Sequence, residues 1–168
     1  MSKPKFYNQT KTRIKKPKPR FRSSRDYDFL QYVRIVMKWA MKNYDLSRPD
    51  IELILYLYPM GAFSIREFNR FHKTMRMYHF KTLDRFIEDG WIVMWRPKKG
   101  KESALYTLTN KAKTMCSKMH KYCTGELSIP TNPRVNVLAG NTGVRMDGYY
   151  MEIIKKMNRD RGTKEDLD

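Results

Sequence analysis

The side chains with the most scope for chemistry are cations set among aromatic and hydroxyl groups, in two clusters. Arg76, Tyr78, His79, Lys81, Thr82 and Arg85 fall mainly off the apolar positions around them, and Arg96, Lys98, Lys99 and Lys101 follow shortly after. Arginine can take guanine through two parallel hydrogen bonds, whereas lysine and threonine commonly hold phosphate oxygens. The set therefore suits a nucleic-acid duplex, with Lys98, Lys99 and Lys101 on phosphates and Arg96 as the side chain that enters a groove. Catalysis has no comparable footing. There is no Gly-rich phosphate loop, no nucleophile elbow and no zinc-protease helix, and the three histidines lack carboxylate partners at motif spacing. Neither an enzyme activity nor a cofactor is expected. Cys116, His120 and Cys123 share one side of a helix and could ligate zinc or sense oxidants. No second pair supplies a fourth ligand, however, and buried cysteine is ordinary core filling, so no metal site is expected.

These residues need elements to position them. Ser64-Ile65-Arg66-Glu67 has the form of a capping box that starts a helix, with Phe68 and Phe71 as its apolar side. After a break around His72 to Thr74, the spacing of Phe80, Leu83, Phe86 and Ile87 predicts a second helix with one buried face. That helix would carry Arg76 to Arg85 outward, and Asp89-Gly90 would stop it. Trp91 to Trp95 and Ala104 to Leu108 read as two strands. The polar, Gly-containing stretch Arg96–Ser103 between them makes a cationic hairpin. Trp91 and Trp95 alternate with Val93 on one strand face, which assigns them to the core rather than to bases. Thr109 or Asn110 then caps a helix over Lys111–Tyr122, with Ala112, Met115, Cys116 and Met119 inward.

This order resembles the winged-helix DNA-binding domains of the multiple-antibiotic-resistance regulator (MarR) family and the related phenolic-acid regulator (PadR) family. The residues that carry the resemblance are Phe86-Ile87-Glu88-Asp89-Gly90-Trp91-Ile92 and Leu105-Tyr106-Thr107-Leu108-Thr109-Asn110-Lys111-Ala112-Lys113. It covers roughly residues 26 to 124, and its motifs are moderately specific, because winged helices serve many functions. The fold it implies is mainly α with a small β-hairpin wing. A helix-turn-helix would read double-stranded DNA, and a long first helix would contribute to a homodimer.

The rest of the chain is organised around that domain. Residues 1–25 hold ten lysines or arginines and no acid, and Pro4, Pro17 and Pro19 argue against a helix. They are expected to form a disordered basic arm, in which Lys15, Lys16, Lys18, Arg20 and Arg22 would lie along phosphates or enter a minor groove. From Asp26 to Tyr44 the apolar residues crowd more than one helical face, so two sides must be buried: one can pack on the domain and the second could meet a partner chain. Ser47 caps the next helix, whose Ile51, Leu53, Ile54, Leu55, Leu57 and Tyr58 mark it as the central core helix. Residues 125–147 read as a linker. In residues 148–168, Asp147 would cap a helix whose stripe of Tyr149, Tyr150, Ile153, Ile154 and Met157 must dock on its own domain or on another protein.

A net charge of +18 in 168 residues points to polyanionic partners. No apolar run approaches membrane-spanning length, and the start has no secretory h-region. A cytoplasmic, nucleoid-associated protein is the simplest expectation, or a virion component if the source is viral. The expected function is duplex DNA binding as a dimeric transcriptional regulator. The alternatives are an architectural nucleic-acid protein of a nucleoid or virus, which the long basic leader favours, and a protein-interaction winged helix.

Overall fold

The computed structural model describes residues 32–75, 82–140 and 143–162. Along them run helix α1 (Val33–Tyr44), α2 (Arg48–Leu57), strand β1 (Ala62–Ser64), α3 (Ile65–Met75), α4 (Leu83–Glu88), β2 (Ile92–Arg96), β3 (Leu105–Leu108), α5 (Asn110–Thr124) and α6 (Arg145–Gly162). Short 3-10 turns occupy Tyr58–Met60 and Val137–Ala139. The protein is mainly helical, with one small antiparallel sheet in the order β1-β3-β2.

Local chemistry sets the helix starts. Before α2, the Asp50 amide donates to the Ser47 hydroxyl and the Ser47 amide donates to the Asp50 carboxylate, both at 3.3 Å. Before α3, Ser64 and Glu67 make the same reciprocal pair, at 2.7 Å and 3.4 Å. The Ser64 amide and hydroxyl hold the Glu67 carboxyl below its ordinary pKa. Thr109 caps α5 by accepting from the Ala112 amide at 3.4 Å, and its hydroxyl donates to the Gly90 carbonyl. The break expected at His72 to Thr74 does not occur, since α3 continues to Met75. Thr74 stays helical by turning its hydroxyl back to the Arg70 carbonyl four residues earlier, at 2.9 Å.

The core forms around α2, whose Ile51, Leu53, Ile54 and Leu57 are all fully buried. Ile35, Val36, Trp39 and Ala40 of α1 join it from one side, and Met115, Cys116, Met119 and Tyr122 of α5 from another. Phe63, Phe68, Phe86, Trp91 and Ile92 close it beneath the sheet. The Trp39 ring meets Tyr122 edge-on at 4.8 Å, while its buried indole N–H has no hydrogen-bond partner among the described residues.

Residues 125–147, expected as a linker, pack instead. Ile129, Asn136 and Leu138 are buried, and side-chain amides satisfy the buried backbone. Asn136 donates to the Pro130 carbonyl at 2.8 Å, and its oxygen accepts from Asn43 of α1 at 2.9 Å and from the Leu138 amide at 3.1 Å. Asn158 of α6 grips both the amide and the carbonyl of Ile129, at 3.1 Å and 2.9 Å. α6 begins at Arg145, so Asp147 lies in its first turn rather than at its cap, buried and 4.0 Å from Lys42. Of the expected stripe, Ile154 and Met157 are buried, Tyr150 is half-buried, and Tyr149 and Ile153 stay exposed. Two buried side chains of this size contribute about 3–6 kcal/mol to docking α6 on the body. The Tyr32 hydroxyl also donates to the Asp160 carboxylate. α1 is thus packed against α2, α5, α6 and the Val137–Ala139 turn. Its second apolar side, the motive for a dimer, meets the protein's own C-terminal segment.

Candidate nucleic-acid interface

The stretch expected to read bases is divided by a helix boundary. Thr82 has extended backbone (φ −67°, ψ 164°), and its hydroxyl accepts from the Arg85 amide at 3.4 Å. It is the N-cap of α4, so the helix starts at Leu83, and Thr82 stands exposed at its start rather than on its surface. Threonine gains more from accepting an orphan amide at a helix start than from an interior position, which explains the boundary. Arg76, Tyr78, His79 and Lys81 lie outside the described residues, as does Phe80, and so do Lys15, Lys16, Lys18, Arg20 and Arg22 of the basic arm.

Leu83 and Phe86 of α4 are buried, but Ile87, expected inward, is 36% exposed because the helix ends before a further turn can cover it. The outer surface of α4 is acidic, with Asp84, Glu88 and Asp89 exposed and Arg85 3.4 Å from the Glu88 carboxylate. Gly90 takes the left-handed turn, at φ +72°, that a Cβ would strain. The Trp91 amide then donates to the Phe86 carbonyl at 2.8 Å, and its carbonyl accepts from the Thr109 amide at 3.0 Å. With Lys111 4.1 Å above its ring, Trp91 fixes the hairpin to α4 and α5.

From this anchor the hairpin runs outward. β2 pairs with β3 from Ile92↔Leu108 to Met94↔Tyr106, then shifts so that Arg96 meets Leu105. Trp95 is therefore the extra residue of a β-bulge. Only Ile92 of this strand is buried, whereas Val93, Met94 and Trp95 are 45%, 50% and 63% exposed. Trp95 does not share the Trp91 environment, contrary to the alternation expected from sequence. Trp91 precedes the strand in a core-facing turn, whereas Trp95 sits at the bulge of an edge strand, beyond its last buried residue, Ile92.

At the tip, Lys99 and Glu102 exchange backbone hydrogen bonds at 3.3 Å and 3.0 Å, closing a turn with Gly100 at φ +58°. Lys98, Lys99 and Lys101 are all exposed there. Arg96 pairs with Glu102 at 3.3 Å. An exposed pair of this kind contributes at most about 1 kcal/mol, so a phosphate or a guanine edge can displace the carboxylate. The structure thus brings Arg96, Lys98, Lys99 and Lys101 together on one hairpin, while Arg85 lies on α4 beside the Glu88 carboxylate.

Two further cationic surfaces were not singled out from the sequence. Arg66, Arg70 and Lys73 lie exposed on α3, opposite buried Phe68 and Phe71. On α5, Lys113, Lys118 and Lys121 line a shallow groove with Tyr58, Thr114 and Ser117. Helical spacing could have found both sets, because each is the complement of an apolar face; the bulge at Trp95 has no such signal.

The comparisons add no relative. The chain matches no family model, no curated protein and no solved structure. Among the described residues no helix is long and apolar enough to cross a membrane, and no three His, Cys, Asp or Glu side chains gather as a metal site. Cys116 is buried, and desolvation pushes its thiol up to about 12; Cys123 is half-buried and also raised. The thiolate needed for metal binding or redox chemistry is therefore scarce at neutral pH.

Proposed function

We propose that this chain is a winged-helix protein of MarR or PadR type that binds double-stranded DNA, with the β2–β3 hairpin as its wing and principal phosphate contact. The observation that carries the reading is the hairpin tip, where four cations face one carboxylate, all of them exposed, on a hairpin rooted in the turn after α4. The succession of helices and hairpin strands α1, α2, α3, α4, β2, β3, α5 supports it, since that is the order the resemblance implies. Base reading falls to residues 76–81 and Arg96 rather than to the acidic surface of α4. On this reading the protein is a transcriptional regulator. A two-fold dimer would place two copies on half-sites about one DNA turn apart, through a surface other than the α1 side covered by α6.

A second reading, an architectural protein that binds duplexes with little sequence preference, is favoured by two observations. The exposed part of α4 is acidic, and the α5 groove adds a cationic surface of its own. One experiment separates the two. Selection of bound sequences from a random duplex pool should yield a shared motif for a regulator and none for an architectural protein. The duplex reading itself is tested by salt. Replacing Lys98, Lys99 and Lys101 together with alanine should lower the slope of log affinity against log salt by roughly 2 to 3, since each phosphate contact contributes about 0.9. An unchanged slope would refute the hairpin as the phosphate contact.

A further inference from the structure

We propose that Trp95 is a stacking platform for an unpaired base, so that the preferred target is a duplex carrying a single-stranded segment. This rests on the nucleic-acid reading above and narrows it.

All three tryptophans lie among the described residues. Trp39 and Trp91 are 3% and 2% exposed, whereas Trp95 is 63% exposed. The ordinary reason for a tryptophan, filling a core, does not apply to a side chain at the bulge of an edge strand. Nor does strand pairing account for it, because the shift between Met94 and Arg96 leaves Trp95 without a cross-strand partner. Val93 and Met94 are exposed beside it, and Arg96, Lys98, Lys99 and Lys101 follow along the same hairpin. An exposed aromatic ring next to a row of cations is the shared composition of surfaces that hold single strands. The cations follow the phosphates while the ring takes the face of a base, which every base offers.

The size of the gain decides which base is available. Stacking one base on an aromatic side chain is worth roughly 5- to 150-fold in affinity. Unstacking an intact base step costs a comparable factor, so stacking alone does not open a closed duplex. A base that is already unpaired carries no such cost. Lysines alone would hold any duplex equally; the ring adds the preference for an unpaired neighbour.

The test uses the full chain at fixed salt with three probes: a blunt duplex, the same duplex with a single-stranded thymidine tail, and the tail strand alone. Affinity is read by fluorescence anisotropy, and the exposed indole by tryptophan emission. Trp95→Ala should weaken the tailed duplex and the tail strand by roughly 5- to 150-fold and leave the blunt duplex unchanged. Trp95→Phe, which keeps a ring, should retain most of the affinity. Emission of the wild type should be quenched by the tail, and the quenching should vanish in both variants. Equal weakening on all three probes, no weakening, a loss confined to the blunt duplex, or unquenched emission would each overturn the proposal. Tail binding that depends on Trp95 without any duplex binding would refute the duplex reading and leave the stacking site standing. Duplex binding that depends on the lysines but not on Trp95 would do the reverse.

Discussion

Strand β2 and the strap of residues 129–139 treat their side chains in opposite ways. β2 carries Ile92-Val93-Met94-Trp95, yet only Ile92 is buried. The strap carries two prolines, two asparagines, a threonine and an arginine, yet it buries Ile129, Asn136 and Leu138. The difference lies in what each segment meets. β2 leaves the core after one residue, at the edge of a three-stranded sheet, and Val93, Met94 and Trp95 beyond it are exposed. The strap runs between α1 and α6, where Asn43, Asn136 and Asn158 supply hydrogen bonds that an irregular backbone would otherwise lack. Hydrophobicity alone therefore decides neither burial nor exposure. An apolar run needs a surface to cover it, and a polar one can be buried when its polar groups are satisfied.

The sharpest way to break this contrast is Asn136→Ala. It leaves the buried Leu138 amide without its acceptor and the Pro130 carbonyl without its donor, while Asn43 still donates to the Trp39 carbonyl; each group orphaned in this way costs about 1–3 kcal/mol. A loss of about 2–4 kcal/mol in urea unfolding is expected; a midpoint equal to wild type would mean that the strap is held by its apolar residues alone. Asn158→Ala should cost less, about 1–2 kcal/mol, because it removes one clamp on Ile129 from a half-buried position. Thermal melting of this variant, compared with Asn136→Ala, would show whether the two amides rank in that order. At the other extreme, Trp95→Ala should change stability by less than about 0.5 kcal/mol despite removing the larger side chain. A loss as great as that of Asn136→Ala would show that Trp95 is packed after all, and would undo the contrast from the other side.

Several parts of the fold were legible because they depend on neighbours in sequence. Ser47, Ser64 and Thr109 announce helix starts, since a cap and its amide lie within one turn. Buried Leu53, Ile54 and Leu57 follow from helical spacing, as do Met115, Cys116 and Met119. Gly90 gives the turn into the hairpin, and Lys98, Lys99 and Lys101 its exposed tip, because three ammonium groups cannot be buried together. Thr82 misled in a specific way. A threonine between Phe80 and Leu83 satisfies an apolar periodicity on either side, and only the extended backbone at that position makes it a cap.

Legible from the residues alone, then, were the order of α1 to α5 with the two hairpin strands, the caps at Ser47, Ser64 and Thr109, the turn at Gly90 and the cationic tip of the hairpin. Each of these follows from interactions within a few residues or from charge that must face water. Two other features came from contacts across the fold. α6 and the strap occupy the second side of α1, and Trp95 stands clear of the core on a bulge. These depend on contacts between residues distant along the chain, such as Asn43 with Asn136 and Ile129 with Asn158. In the strand, they depend on a one-residue register shift between two partners. Local spacing cannot encode such a shift, because the same five residues fit a regular or a bulged ladder, and the partner strand settles which.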